Sequence, residues 1–178
     1  MKISLDVFSR ASIDEAIRKL TAYADGLEQK TEELKRRLAS EGILVAEEQF
    51  GSAIYDGTND VHVDLVDGED KVAIRASGDT VLFIEFGTGV NLPTYHPKRE
   101  ELQVGDVGTY GYGLGKLKGG WRYPESKGKG TNGEEDPDHP GYIHTYGNPA
   151  NMPMYNASKE IRSRVLEIAK EVFANDRP

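Results

Sequence analysis

From residue 90 to residue 147 the chain is crowded with Gly, Pro, Lys, Glu and Asp and shows no sustained hydrophobic periodicity. Structureless stretches longer than roughly 12–15 residues are uncommon in compact domains, and are usually functional or disordered. The core must therefore come from the residues on either side. With 178 residues in all, one core is the expectation. We read residues 1–178 as a single domain that carries an extended insertion or arm, 91–147.

The flanking segments do carry periodicity. Ile3, Leu5 and Val7 alternate with polar residues, which predicts a short strand over residues 2–8. Ser12, with Glu15 three residues on, reads as the N-cap and capping box of a helix. Ile13, Ile17, Leu20, Ala24, Leu27, Leu34 and Leu38 then recur at three-, four- and seven-residue spacings, one stripe of an amphipathic helix. Gly42 predicts a break before a second, shorter helix that ends at Phe50, whereas Gly26 is tolerated. From residue 60 the period changes to two, with Val61, Val63 and Leu65 on one strand and Val72, Ile74 and Ala76 on the next. The intervening VDGED supplies an Asp-Gly pair, a strong hairpin signal because glycine adopts the positive φ such turns need. TVLFIEFGTG (80–89) fits either a buried strand or a short helical segment. Ile161, Val165, Ile168 and Val172 mark a closing helix. The expected fold is α+β, a small antiparallel sheet packed by a long N-terminal helix and a C-terminal helix, with a long Gly-rich insertion.

Charge and composition exclude several classes of function. A formal net charge of -8 repels phosphate. The basic groups Lys35-Arg36-Arg37 and Lys116, Lys118, Lys127 and Lys129 have acidic neighbours, so nucleic acid is not an expected partner. The absence of cysteine removes disulfides, thiolate zinc sites and cysteine nucleophiles together. The first residues turn charged and helical where a secretory signal would hold an apolar run, and no apolar run is long enough to span a bilayer. The expectation is a chain neither exported nor inserted in a membrane.

No motif carries recognisable catalytic spacing. TYGYGLGKLKGGW (109–121) lacks the glycine spacing and the Ser or Thr after lysine that a phosphate loop needs. Its glycines, interleaved with Tyr110, Tyr112 and Trp121 and followed by Tyr123, read instead as an adaptable protein-contact surface. His62, His96, His139 and His144 match no established ligand spacing, and they read as scattered polar residues. Glu85 sits between Ile84 and Phe86. It reads as lying on an exposed edge or capping a neighbouring turn, with a buried general base as the alternative. No Gly-x-Ser-x-Gly elbow occurs.

Two segments, FIEFGTG (83–89) and NPANMPMYNASKEIRSRV (148–165), together resemble the neck or tail-completion proteins of long-tailed bacteriophages, the minor tail protein Z-like group. Glu85, Phe86, Gly87 and Thr88 match that family's acidic-aromatic-Gly-Thr turn. Pro149, Ala150, Met152, Pro153, Met154 and Ala157 match the Pro-containing stretch that opens its closing helix. In the family the two elements lie close together in sequence, whereas here residues 90–147 separate them. The resemblance implies a structural virion component rather than an enzyme. It would join the head connector to the tail as an oligomeric ring subunit, with no catalytic residue and no cofactor. Its implied partners are copies of itself and the portal or connector, head-closing, tail terminator or tail tube proteins. It would be located in the virion neck or tail, and in the host cytoplasm during assembly. The matched residues would serve as structural turns, with Gly87 and Gly89 supplying positive φ and Pro149 and Pro153 a rigid approach to the helix. Two other readings are open: a metal-dependent hydrolase drawing on the histidines and acids of the insertion, and a small host-protein-binding module.

Overall fold

The computed structural model describes residues 3–68, 71–88, 96–98, 100–102, 120–131 and 133–174. The fold is α+β. A long helix α1 (Arg10–Gly51) leads into the antiparallel hairpin β1 (His62–Asp67) and β2 (Val72–Ser77), and then a short helix α2 (Val81–Phe86). Three short strands follow, β3 (Trp121–Pro124), β4 (Glu134–Glu135) and β5 (Tyr142–Thr145), and the helix α3 (Pro153–Phe173) closes the chain. Among the described residues the expected single sheet is two, β1-β2 and β3-β5-β4. The hairpin has the alternation its sequence requires, with Val63 and Leu65 half-buried and His62 and Asp64 exposed.

α1 and α3 run antiparallel. Arg37 pairs with Glu171, Glu41 with Arg164 (2.9 Å), and Gln49 accepts a hydrogen bond from Asn156 (2.8 Å). Ala46 and Phe50 of α1, Ile84 of α2 and Ala157 of α3 form the centre of the core, with Val61, Val63 and Ala76 of the hairpin segment against them. The Lys30 ammonium lies over the ring of Phe173, the last residue of α3. The five or so turns of α1 before Lys30 run on for about 30 Å at helical rise. On those turns Ile13, Ile17, Leu20, Tyr23 and Leu27 are exposed and Ala16 is buried, and the same stripe continues into Leu38, which faces β2 and α3.

Three local expectations are corrected. No strand forms over the described part of residues 2–8, because polar groups close a turn there instead. The Phe8 N–H donates to Asp6 Oδ1 (3.0 Å), the Ser9 N–H to the Asp6 carbonyl (3.1 Å) and the Asp6 N–H to Ser12 Oγ (2.9 Å). The helix consequently starts earlier, with Ser9 as N-cap and its hydroxyl accepting from the Ser12 N–H. Gly42 does not break the helix. A Cβ there would lie 2.4 Å from Ile74 Cδ1 and 2.6 Å from Ile161 Cδ1, so the glycine admits β2 and α3 close against α1.

This contrast yields a paired prediction. Gly26 has open space around it and should gain about 1 kcal/mol as alanine, from helix propensity alone. Gly42→Leu should lose about 2–3 kcal/mol through overpacking. Urea unfolding of the two variants checks the opposite signs, and equal shifts would refute the packing role of Gly42.

The insertion is also more structured than its composition implies. Trp121–Pro124 pairs with Tyr142–Thr145, and Ile143 between them is fully buried. The unit is tied to the body through the Thr131 N–H donating to the Tyr55 carbonyl (2.9 Å) and the Thr58 hydroxyl donating to the Lys127 carbonyl (2.8 Å). Strands of two to four residues are too short to register as periodicity.

Candidate functional site

α2 is positioned from its first residue. The Asp60 carboxylate, at the entry to β1, accepts hydrogen bonds from the Asp79 N–H (2.9 Å), the Thr80 N–H (3.1 Å) and the Thr80 hydroxyl (2.6 Å). The Thr80 hydroxyl bond is the main reason that the Asp60 carboxyl lies below its usual range. One and a half turns later α2 ends at Gly87, whose φ of 74° needs glycine.

The two segments that carry the phage resemblance are joined directly. Thr88 and Asn148 exchange backbone hydrogen bonds of 2.9 and 3.1 Å as an isolated antiparallel bridge. The Asn148 side chain is buried. Its Oδ1 accepts from the Thr88 hydroxyl (2.6 Å) and its Nδ2 donates to the Phe83 carbonyl (2.9 Å). Asn151 extends the seam. Its N–H donates to the Ile84 carbonyl (2.9 Å), and its side chain both donates to and accepts from the Ile54 backbone at 2.9 Å. Met152 then takes the left-handed conformation (φ 60°), and Pro153 opens α3 at a position where its missing N–H costs nothing.

Glu85 completes the junction. Only 5% of it is exposed, so the exposed-edge expectation is corrected, while the capping expectation holds. Oε2 accepts from the Met154 N–H (2.8 Å) and Oε1 from the Tyr155 N–H (3.0 Å), the free amides of the first turn of α3. A carboxylate there also meets the positive end of the helix dipole. His96 is not a scattered polar residue. It is 3% exposed, its ring packs on Phe86 and Tyr155, and its Nε2 lies 3.0 Å from Glu85 Oε1. The Lys98 N–H donates to His96 Nδ1 (3.1 Å), so Nδ1 is the acceptor and Nε2 carries the proton given to Glu85. With three donors on it, this carboxylate holds structure together rather than awaiting a substrate proton.

Above this junction lies an open cleft of about 520 Å³ between β2, α2, the residues His96, Lys98, Glu101 and Leu102, and α3. Val81, Leu82, Phe86, Leu102 and Met154 give it an apolar lining, and Arg75, Lys98, Lys159 and Arg162 border it. Glu101 is held by Lys98, and Asp64 stands 3.7 Å from Arg75. In a chain of net charge -8 this is a local excess of cations. The cleft is chemically suited to an apolar group that carries a carboxylate.

The aromatic contact residues are divided. Tyr110 and Tyr112, like Gly89, lie outside the described residues. Trp121 and Tyr123 are half-buried in β3, and the Tyr123 hydroxyl donates to the Lys129 carbonyl (2.8 Å). Burial, with Asp56 and Tyr55 nearby, pushes this phenol up to about 12. Pro149 stands between the Asn148 and Asn151 hydrogen bonds, its carbonyl accepting from both side chains. Asn148, Asn151 and the burial of His96 were not legible as site features. The one available signal was a pair of asparagines flanking proline just before a helix.

The other histidines stand apart. His62 is on β1, His144 packs edge-on to Tyr146, and His139 Nδ1 lies 3.2 Å from Asp136. Among the described residues no group of three or more His, Cys, Asp or Glu could hold a metal ion, and no helix is long and apolar enough to cross a membrane.

Asp136 is buried at the β4–β5 turn, where it pairs with Arg122 and accepts from the Asp138 and His139 N–H groups (2.9 and 3.1 Å). Arg122, above all, holds its carboxyl well below the usual carboxylate range. A depressed folded pKa stabilises the fold above the ordinary value, near pH 4, and that stability is lost as pH falls. Trp121 adjoins Arg122 and is the sole tryptophan, so its fluorescence reports this unit. Asp136→Asn should be less stable than the native chain at pH 7 and lose less stability between about pH 5 and pH 2. Parallel acid limbs in the two proteins would remove Asp136 from the account.

Comparison of the chain with known protein families, characterised proteins and solved structures finds no match.

Proposed function

We propose that this chain is a structural subunit of a tailed-phage virion, a neck or tail-completion protein that acts in an oligomeric ring between head connector and tail. The observation that carries the proposal is the exposed apolar stripe on the first turns of α1, where Ile17 and Leu20 are more than half exposed. Ile13, Ile17 and Leu20 are exposed beside the buried Ala16, on a stripe that runs on to Leu38 next to β2 and α3. Exposed apolar surface of this kind marks a protein contact. A ring supplies such a contact to every copy. The direct bonding of the two segments that carry the family resemblance supports the reading from a second side, since the matched residues work there as a structural junction.

In this reading the neighbours are other copies of the chain and portal, head-closing or tail terminator proteins, and the junction performs no chemistry. The test is deletion of the gene from the phage or prophage that encodes it. The expected lysate contains filled heads and finished tails that remain unjoined in electron micrographs, and adding the purified chain restores joined, infectious particles. Fully joined particles of normal infectivity from the deletion would overturn the proposal.

A further inference from the structure

We infer that the apolar tip of α1 in one copy seats in the cationic-rimmed cleft of a second copy, so that the chain self-associates tip to cleft. The inference deepens the ring reading and rests on it for closure of the ring.

The tip is a preformed apolar knob. Leu5 and Val7 are more than half exposed and Phe8 is 97% exposed, the largest exposure of a large apolar side chain among the described residues. These side chains are not on a loose end. The turn closed by Asp6 and Ser12 holds them at the start of the helix, which lowers the ordering cost of docking them. Asp6 is the only charged residue from Ile3 to Ser9. The tip therefore presents an apolar surface with the Asp6 carboxylate, followed by the exposed Arg10 at the first helical position.

The cleft is its complement. Its volume of about 520 Å³ is within the range of pockets that enclose a compact ligand, roughly 300–1,000 Å³. Leu82 and Leu102 stand more than half exposed at its lining. Lys159 and Arg162, one helical turn apart on α3, are exposed beside it and can meet the Asp6 carboxylate. The chain's own tip lies about 30 Å along α1 from Lys30, which meets Phe173 at the C-terminal end of α3, whereas the cleft is at the N-terminal half of α3, so the contact is between copies. A contact between two different surfaces is heterologous, and repetition of it closes a ring or continues as a filament.

The test uses the full-length chain, which is free of cysteine. Single variants Phe8→Cys and Leu82→Cys are mixed and oxidised, and sedimentation is measured for the native chain, Phe8→Asp, Arg162→Glu and the pair Asp6→Arg with Arg162→Glu. Circular dichroism confirms that each variant is folded. The expected results are a disulfide-linked species specific to the mixture, and association weakened at least about tenfold by Phe8→Asp, the scale of losing a buried aromatic anchor. Arg162→Glu should also weaken association, and the charge-swapped pair should recover part of the loss. Oligomers that persist unchanged in Phe8→Asp would overturn the tip contact and leave the ring reading standing. A native chain that stays monomeric without cross-linking, or cross-links Phe8→Cys to itself, also overturns it. The gene deletion judges the neck reading independently of these results.

Discussion

Glu85→Ala should destabilise the protein by about 3–5 kcal/mol, the largest loss expected from any polar substitution in the chain. The carboxylate accepts from the Met154 and Tyr155 amides and from His96 Nε2, and all three donors would lose their partner. A buried donor left unsatisfied costs about 1–3 kcal/mol, and charge-assisted bonds lie at the upper end. Glu85→Gln keeps the shape and one acceptor oxygen but turns a donor group toward an N–H, so about half the loss should remain. Urea unfolding at pH 7 measures both. A loss below about 1 kcal/mol for the alanine variant would mean that water replaces the carboxylate, and the junction would not depend on it.

Asn148→Ala should cost about 2–4 kcal/mol by the same logic applied to a neutral group. The Phe83 carbonyl and the Thr88 hydroxyl lose their partner together, while the backbone bridge between Thr88 and Asn148 remains available. Asn148→Asp should be worse than alanine, because it would set a carboxylate against the Phe83 and Pro149 carbonyls that now accept from Nδ2. A double-mutant cycle with Thr88→Val isolates the side-chain pair, with an expected coupling of about 1–2 kcal/mol. Additive losses would show that the two side chains act separately.

The parts of this fold that were legible in the sequence are those in which one face repeats. The α3 stripe is buried at Ile168 and Val172, and the Asp-Gly hairpin pairs in the register that puts Val63 and Leu65 on one face. The α1 stripe was equally visible, but its helix begins at Arg10 and passes through Gly42 without a break. Propensity argues locally, and the Ile74 and Ile161 side chains that make use of Gly42 are 32 and 119 residues away in sequence. Glu85 shows the same limit. Its apolar flanks gave it away as unusual, yet its partners Met154 and Tyr155 lie about 70 positions on. Of the proposed contact aromatics, Trp121 and Tyr123 are half occupied by their own sheet, and composition alone had no means of separating a surface aromatic from one that pairs across a strand.

The Thr88–Asn148 bridge also fixes how the segment between its two residues joins the body. Two backbone hydrogen bonds place the two ends of the intervening segment side by side, so the body of the protein meets that segment as a closed port of fixed width. Loop-closure entropy grows only with the logarithm of length, about 0.6 kcal/mol for each doubling. What is plugged into such a port can lengthen, shorten or be exchanged for another module while the frame around it keeps its geometry. His96, which reaches back to Glu85, and the strands tied to Tyr55, Asp56 and Thr58 are points at which a replacement would have to match this frame.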